Sequence, residues 1–216
     1  MTQAAIKAAA EANALFVSGM FHPTPDDDLP GVGTLVLLSP AEPGFWAHVT
    51  ASAEFRDGMK DPLDRWSRRV IGRLAHDFGG AALFPFGGPP YAPFYDWALR
   101  SGRAWASPVS LLVHETMGLF ASYRGALAIP ERLDLPRAPQ PERPCDACPQ
   151  PCRTACPVKA LARTGYDVAA CHGFLDQAAG KDCLSLGCNV RRACPASIAY
   201  GRLPEQSEWH MRQFHR

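Results

Sequence analysis

CDACPQPCRTACP, residues 145–157, and CHGFLDQAAGKDCLSLGCNVRRACP, residues 171–195, hold all eight cysteines of a 216-residue chain. The 144 residues before them contain none, and each stretch closes on a Cys-Pro, at Cys156-Pro157 and Cys194-Pro195. In the first stretch the gaps are two, three and three residues; in the second they widen to eleven, four and five. Thiols crowded into short loops suit soft metals. A compact core needs inward-pointing ligands from several directions, so one short loop supplies three and a fourth arrives from elsewhere.

Two cysteine groups, each closed by Cys-Pro, resemble a bacterial-type ferredoxin segment that holds two [4Fe-4S] clusters. The resemblance implies a crossover, in which the last cysteine of each motif ligates the other cluster. It assigns Cys145, Cys148, Cys152 and Cys194 to one cluster, and Cys156, Cys171, Cys183 and Cys188 to the other. The spacing departs from the commonest run, which has two residues where this chain has three between Cys148 and Cys152. The set of eight is therefore better specified than its division.

Two other uses of the cysteines stand beside this one. A disulfide framework needs an oxidising compartment, but MTQAAIKAAAEANALF does not read as a secretory leader. Two structural zinc sites share the C-x2-C spacing. The Cys-Pro closures and the lack of a well-spaced histidine favour iron-sulfur. His172, next to Cys171, is a candidate replacement ligand, and a supporting or exposed position is its plainer reading.

The chain is long enough to bury a core. A formal net charge of +1 gives no strong field for nucleic acid or an anionic membrane. No apolar run approaches the roughly 20 residues that span a bilayer. The expectation is a cytoplasmic protein with a redox partner protein, a small-molecule substrate as an option, and neither nucleic acid nor membrane as partner.

PERLDLPRAPQPERP, residues 130–144, carries five prolines and many charges, as an extended connector does. It divides the chain into residues 1–129, an α/β sheet domain, and residues 145–216, the cysteine domain. The fold class is α+β. In the first part, residues 2–13 read as a helix, 15–22 and 34–39 as strands, and 45–55 as a second helix. The strongest helix signal has Asp61 as N-cap and Pro62 in the first turn, with Leu63, Trp66, Val70, Leu74 and Phe78 on one face and Gly79-Gly80 as the stop. AALFPF, residues 81–86, reads as a strand, YDWALRSG as a helix, and 108–114 with 119–124 as a hairpin across ETMG.

SGRAWASPVSLLVHETMGLFASYRGAL, residues 101–127, followed by the connector and the double cysteine motif, resembles the epoxyqueuosine reductase and reductive dehalogenase family. Trp105, Leu111, Leu112, Glu115, Gly118, Phe120 and Gly125 carry the likeness. It implies a nitroreductase-like sheet domain, with cobalamin or less naturally flavin held against the nearer cluster and electrons passed in through the clusters. Where the family places its proton-donating acid, this chain has Gly88, so a donor would have to be Tyr91, Tyr95 or Asp96. The resulting expectation is an iron-sulfur electron-transfer protein. The alternatives are a cobalamin- or flavin-dependent reductase and a module that metal merely stabilises.

PFGGPPYAPF, residues 85–94, is a rigid turning loop, and Gly87, Gly88 and Tyr91, with Trp105, are the candidate cofactor-binding positions; an ordinary connection is the plainer reading. His114-Glu115 would face opposite sides of a strand and so would not act on one atom. Arg191-Arg192 lies between the last two cysteines, where it can offset a reduced cluster's charge or meet an acidic partner, or be a solvated pair. Trp46, Trp66, Trp97 and Trp105 read as core, and Trp209 and Phe214 as anchors of the C-terminal tail.

Overall fold

The computed structural model describes residues 2–135 and 142–215. In chain order its elements are α1 (Gln3–Glu11), β1 (Leu15–Phe21), β2 (Thr34–Pro40), α2 (Gly44–Thr50), α3 (Ala53–Arg56), α4 (Pro62–Asp77), β3 (Ala81–Leu83), α5 (Phe94–Arg100) and β4 (Ala104–Ala106). Then follow β5 (Leu112–His114), β6 (Gly125–Ile129), β7 (Leu161–Ala162), β8 (Gly165–Tyr166), α6 (Val168–Leu175), α7 (Lys181–Leu186), α8 (Asn189–Arg192), α9 (Pro195–Ile198) and α10 (Pro204–Phe214). The class is α+β with small antiparallel sheets. Among the described residues no helix is long and apolar enough to cross a membrane.

Contacts gather the chain into two compact units, Met1–Arg103 with Ser122–Gln140, and Ala104–Ala121 with Pro141–Arg216. This division falls differently from the expected one. Residues 104–121 join the cysteines, because Val109, Val113 and Leu119 share a buried apolar cluster with Cys145, Cys152 and Cys194. The start of the expected connector belongs to the first unit. Leu133 is buried there, its N–H donates to Thr34 Oγ1 at 3.0 Å, and its carbonyl bonds His22 Nε2 at 2.9 Å. The connector's middle, residues 136–141, lies outside the described residues.

The first unit is built on a four-stranded antiparallel sheet of order β1-β2-β6-β3. TLVLLSP and GALAI are buried along their whole length, which explains apolar runs where a half-exposed strand would alternate. Against the sheet lie α4, beside β6 and β3, and α1, beside β1. The apolar stripe of α4 buries Leu63, Trp66, Val70 and Leu74 as its helical spacing requires. Asp61 precedes that helix but does not cap it with its side chain. Its backbone is left-handed, at φ 52°, and its carbonyl accepts the Arg65 N–H instead.

Two other elements differ from expectation. The 45–55 helix is broken into α2 and α3 at Ala51 and Ser52. The hairpin pairs β4 with β5, Trp105 opposite Val113, and residues 119–124 form no strand. The strand after it is β6, inserted between β2 and β3 of the other unit's sheet.

Candidate metal centre

The second unit has short helices and two two-stranded ribbons, and its buried cluster mixes cysteines with Val109, Val113, Leu119, Leu161 and Val190. Cys145 to Cys156 runs through tight turns, with the Cys148 N–H on the Cys145 carbonyl and the 3-10 turn Pro151–Arg153 presenting Cys152. Cys171 lies on α6 and Cys183 on α7. Cys188 and Cys194 are the residues just before α8 and α9, and Pro195 occupies the first turn of α9, where a missing N–H costs nothing. Chain folding thus returns Cys194 to the first loop.

Two close approaches hold this arrangement. Gly118 has φ +55°, and a Cβ there would stand 2.3 Å from the Ser197 N. That contact lets Ser197 Oγ accept the Leu119 N–H at 2.8 Å, tying residues 118–119 to α9 just after Cys194. Gly187 has φ +91°, and a Cβ would stand 2.8 Å from Ser207 Cβ, so α10 can close against the residue that precedes Cys188.

The thiols influence one another in two groups. The charges of Cys194 and Cys148 act on Cys145, and those of Cys194, Cys145 and Cys148 act on Cys152. Separately, Cys188 and Cys156 act on Cys171, and Cys188 acts on Cys183. The first four also ring one cavity of about 280 Å³, together with Ser107, Val113, Leu119 and Gln150. Burial pushes the Cys145, Cys152, Cys171 and Cys183 thiols up from their ordinary range. Thiols held neutral in this way give up their protons when a metal binds.

All eight cysteines are free, and none is joined in a disulfide. Among the described residues no three His, Cys, Asp or Glu side chains already converge as metal ligands do. The first group stands around a cavity instead. As a donor set, two groups of four thiols with backbone N–H groups aimed at sulfur fit a thiolate-ligated cluster. Gln150 N–H lies 3.3 Å from Cys148 Sγ, and Ala160 N–H lies 3.2 Å from Cys156 Sγ.

The remaining candidates are scattered. Gly87 and Gly88 lie in the loop after β3, and a Cβ on Gly88 would meet Pro90 of the same loop at 2.6 Å. Tight turning within the loop thus accounts for that glycine. Tyr91 is 66% exposed. Trp105 belongs to the other unit, packed on the apolar cluster that includes Cys145 and Cys194. His114 is buried, and its Nδ1 accepts the Thr116 N–H at 3.0 Å, a bond that shapes the turn. Trp97 Nε1 donates to Asp27 at 2.9 Å, and Trp66 is core.

His172 points away from a ligand role. Its Nδ1 lies 2.6 Å from His215 Nδ1, and its ring stacks on Phe214 at 4.6 Å. Phe214 also stacks on Tyr166 at 6.1 Å, so the end of α10 is fixed to α6 and β8. Arg191 and Arg192 are not a solvated pair. Arg191 is half-buried and donates to the Leu119 carbonyl, while Arg192 bonds the Gly187 carbonyl at 3.0 Å and pairs with Asp182. Sequence reasoning missed Tyr166 altogether. Partly exposed near Cys171, it opposes the rise that burial gives that thiol, and only its place five residues before the cysteine hinted at that.

Searches among protein families, characterised proteins and solved structures return no match to this chain.

Proposed function

We propose that this chain is an iron-sulfur electron-transfer protein that binds two [4Fe-4S] clusters through Cys145, Cys148, Cys152 and Cys194, and through Cys156, Cys171, Cys183 and Cys188. The observation that carries the reading is the return of Cys194, the last cysteine of the second stretch, to the first loop, where it lines one cavity with Cys145, Cys148 and Cys152. Two independent zinc knuckles would keep each loop's cysteines together. The crossing is the arrangement of two-cluster ferredoxins.

When bound, each cluster takes up or gives up one electron. The residues of this chain do the rest. The thiolates hold the iron, the apolar wall of Val109, Val113 and Leu119 limits water, and the N–H groups of Gln150 and Ala160 partner sulfur. We take the first unit's sheet as related to the nitroreductase-like domain of epoxyqueuosine reductase, the place of action as the cytoplasm, and the electron source as a partner protein. Gly88, at the position of that family's acid, argues for carriage of electrons over the family's own reaction.

The test is iron, acid-labile sulfide and absorption of anaerobically purified protein. About eight irons and eight sulfides with a broad band near 400 nm support the reading. Cys152→Ser and Cys188→Ser are each expected to remove about half of both. Zinc without sulfide overturns it. Corrin or flavin retained after desalting would move the function to a reductase.

A further inference from the structure

The cavity ringed by Cys145, Cys148, Cys152 and Cys194 has two polar residues on its wall besides the thiols, Ser107 and Gln150. Gln150 is already engaged. Its backbone N–H lies 3.3 Å from Cys148 Sγ, and its side-chain amide donates to the Cys145 carbonyl at 3.3 Å. Ser107 contributes the one side-chain hydroxyl among the described residues of the lining, and it is buried, with 7% of its surface exposed. The rest of the wall is poor in donors, since Val113 and Leu119 are apolar and Pro144, Pro149 and Pro195 have no N–H.

Hydrogen bonds at both ends of a turn fix where Ser107 stands. β4 ends at Ala106, whose carbonyl accepts from the Arg143 guanidinium at 2.6 Å, so the end of the strand is tied to the chain just before Cys145. The Ser107 N–H donates to the Leu111 carbonyl at 2.9 Å and closes the turn into β5. Within that turn, Ser110 Oγ donates to the Ala162 carbonyl of β7 at 2.6 Å. Ser107 Oγ accepts the Val109 N–H at 3.3 Å, a long bond that uses one lone pair. A hydroxyl also has a proton to donate. Among the described residues no carbonyl, carboxylate or thiol sulfur takes it. Buried donors have partners, and the space this one borders is the cavity between the thiols.

We propose that the Ser107 hydroxyl donates a hydrogen bond to inorganic sulfur seated in this cavity, and so raises the reduction potential of the Cys145, Cys148, Cys152 and Cys194 site. The inference rests on the proposed iron-sulfur function. A cubane offers bridging sulfides as acceptors beside its thiolates, whereas zinc held by thiolates offers none. Hydrogen bonds to sulfur favour the more negative, reduced state. Ser107 is a positioning residue, since it holds no iron. It also gives residues 104–121 a chemical part in the cysteine unit beside their apolar one.

The experiment is a potentiometric titration of the full-length, anaerobically purified protein, with viologen mediators and dithionite, followed by electron paramagnetic resonance. Each electron passes from a reduced viologen, which is oxidised, to the site, and the Ser107 proton stays on its oxygen. Ser107→Ala removes the donor. For one of the two electrons taken up, the reduced-to-oxidised ratio at fixed potential should fall about tenfold, equivalent to about 59 mV. The other electron should be unaffected, with iron and sulfide at the wild-type level. Ser107→Thr keeps the hydroxyl and should return most of the shift. No shift in Ser107→Ala, or an equal shift of both electrons, would overturn the proposal. Loss of half the iron would overturn it too, by making Ser107 a support of the loop. Wild-type protein lacking iron and sulfide would overturn the underlying function instead, and elemental analysis of the same samples tells the two failures apart.

Discussion

The first unit buries mainly hydrocarbon along its inner strands, and the second sets cysteines among its hydrocarbon. β2 and β6 bury every residue, and Phe45, Trp66 and Ile71 fill the space beside them. The second unit has no helix between α6 and α10 longer than six residues, and its core cluster contains three cysteines among eight buried side chains. Two consequences follow from the area rule for apolar burial. The first unit has the means to fold on its own terms, whereas the second, under the proposed function, would lean on what its thiols bind.

The largest expected effect separates the two. Removing iron by chelation under oxidising conditions should melt the second unit and leave the first intact. Limited proteolysis should then cut within 145–216 while the sheet unit resists. Equal protection of both halves would mean that sulfur is not the second unit's support. The converse experiment is Trp66→Ala, which empties a ring packed edge-on against Phe45 at 5.5 Å. It should cost about 3–5 kcal/mol in the first unit, read as a lower denaturant midpoint with iron content unchanged.

The smallest effect is one of pH. Burial would raise the Asp27 carboxyl, but hydrogen bonds from Arg100, the Thr24 N–H and Trp97 overcome it and bring the group down to about 2. The Arg69 guanidinium likewise holds Glu54 at about 2. Both sit below the ordinary carboxylate range, so their contribution is present above about pH 4 and is lost as pH falls toward 2. Asp27→Asn should lower first-unit stability by about 1–2 kcal/mol at neutral pH and flatten its acid dependence, as followed by the fluorescence of Trp97 and its neighbours.

The sequence was most legible where the signal was local. β1, β2 and α4 follow from periodicity and from Pro62 and Gly79, and the cysteine stretches mark the loops of which four thiols line one cavity. What stayed hidden depends on partners far along the chain. LFASYR, residues 119–124, has a strand's composition, yet the Leu119 N–H is claimed by Ser197 and its carbonyl by Arg191. Those two bonds remove the residue from any ladder, and no local pattern announces them. Arg191 itself reads as a surface charge until the fold half-buries it against the Leu119 carbonyl. Tyr166 stacks on Phe214, nearly fifty residues later, and nothing beside it in the sequence announces that partner.

The interleaving of the two units bears on how the protein is made. Residues 104–121 leave the ribosome before β6, yet β6 completes the sheet unit and residues 104–121 wait for the C-terminal third. The sheet can close only when its inner strand slots in between β2 and β3, and until then a half-built hairpin hangs from an unfinished neighbour. No single cut separates the units. A version ending before Cys145 would keep every strand of the first sheet and strand the hairpin as an orphaned loop. Dissection therefore calls for two edits, a C-terminal stop and a short replacement for residues 104–121.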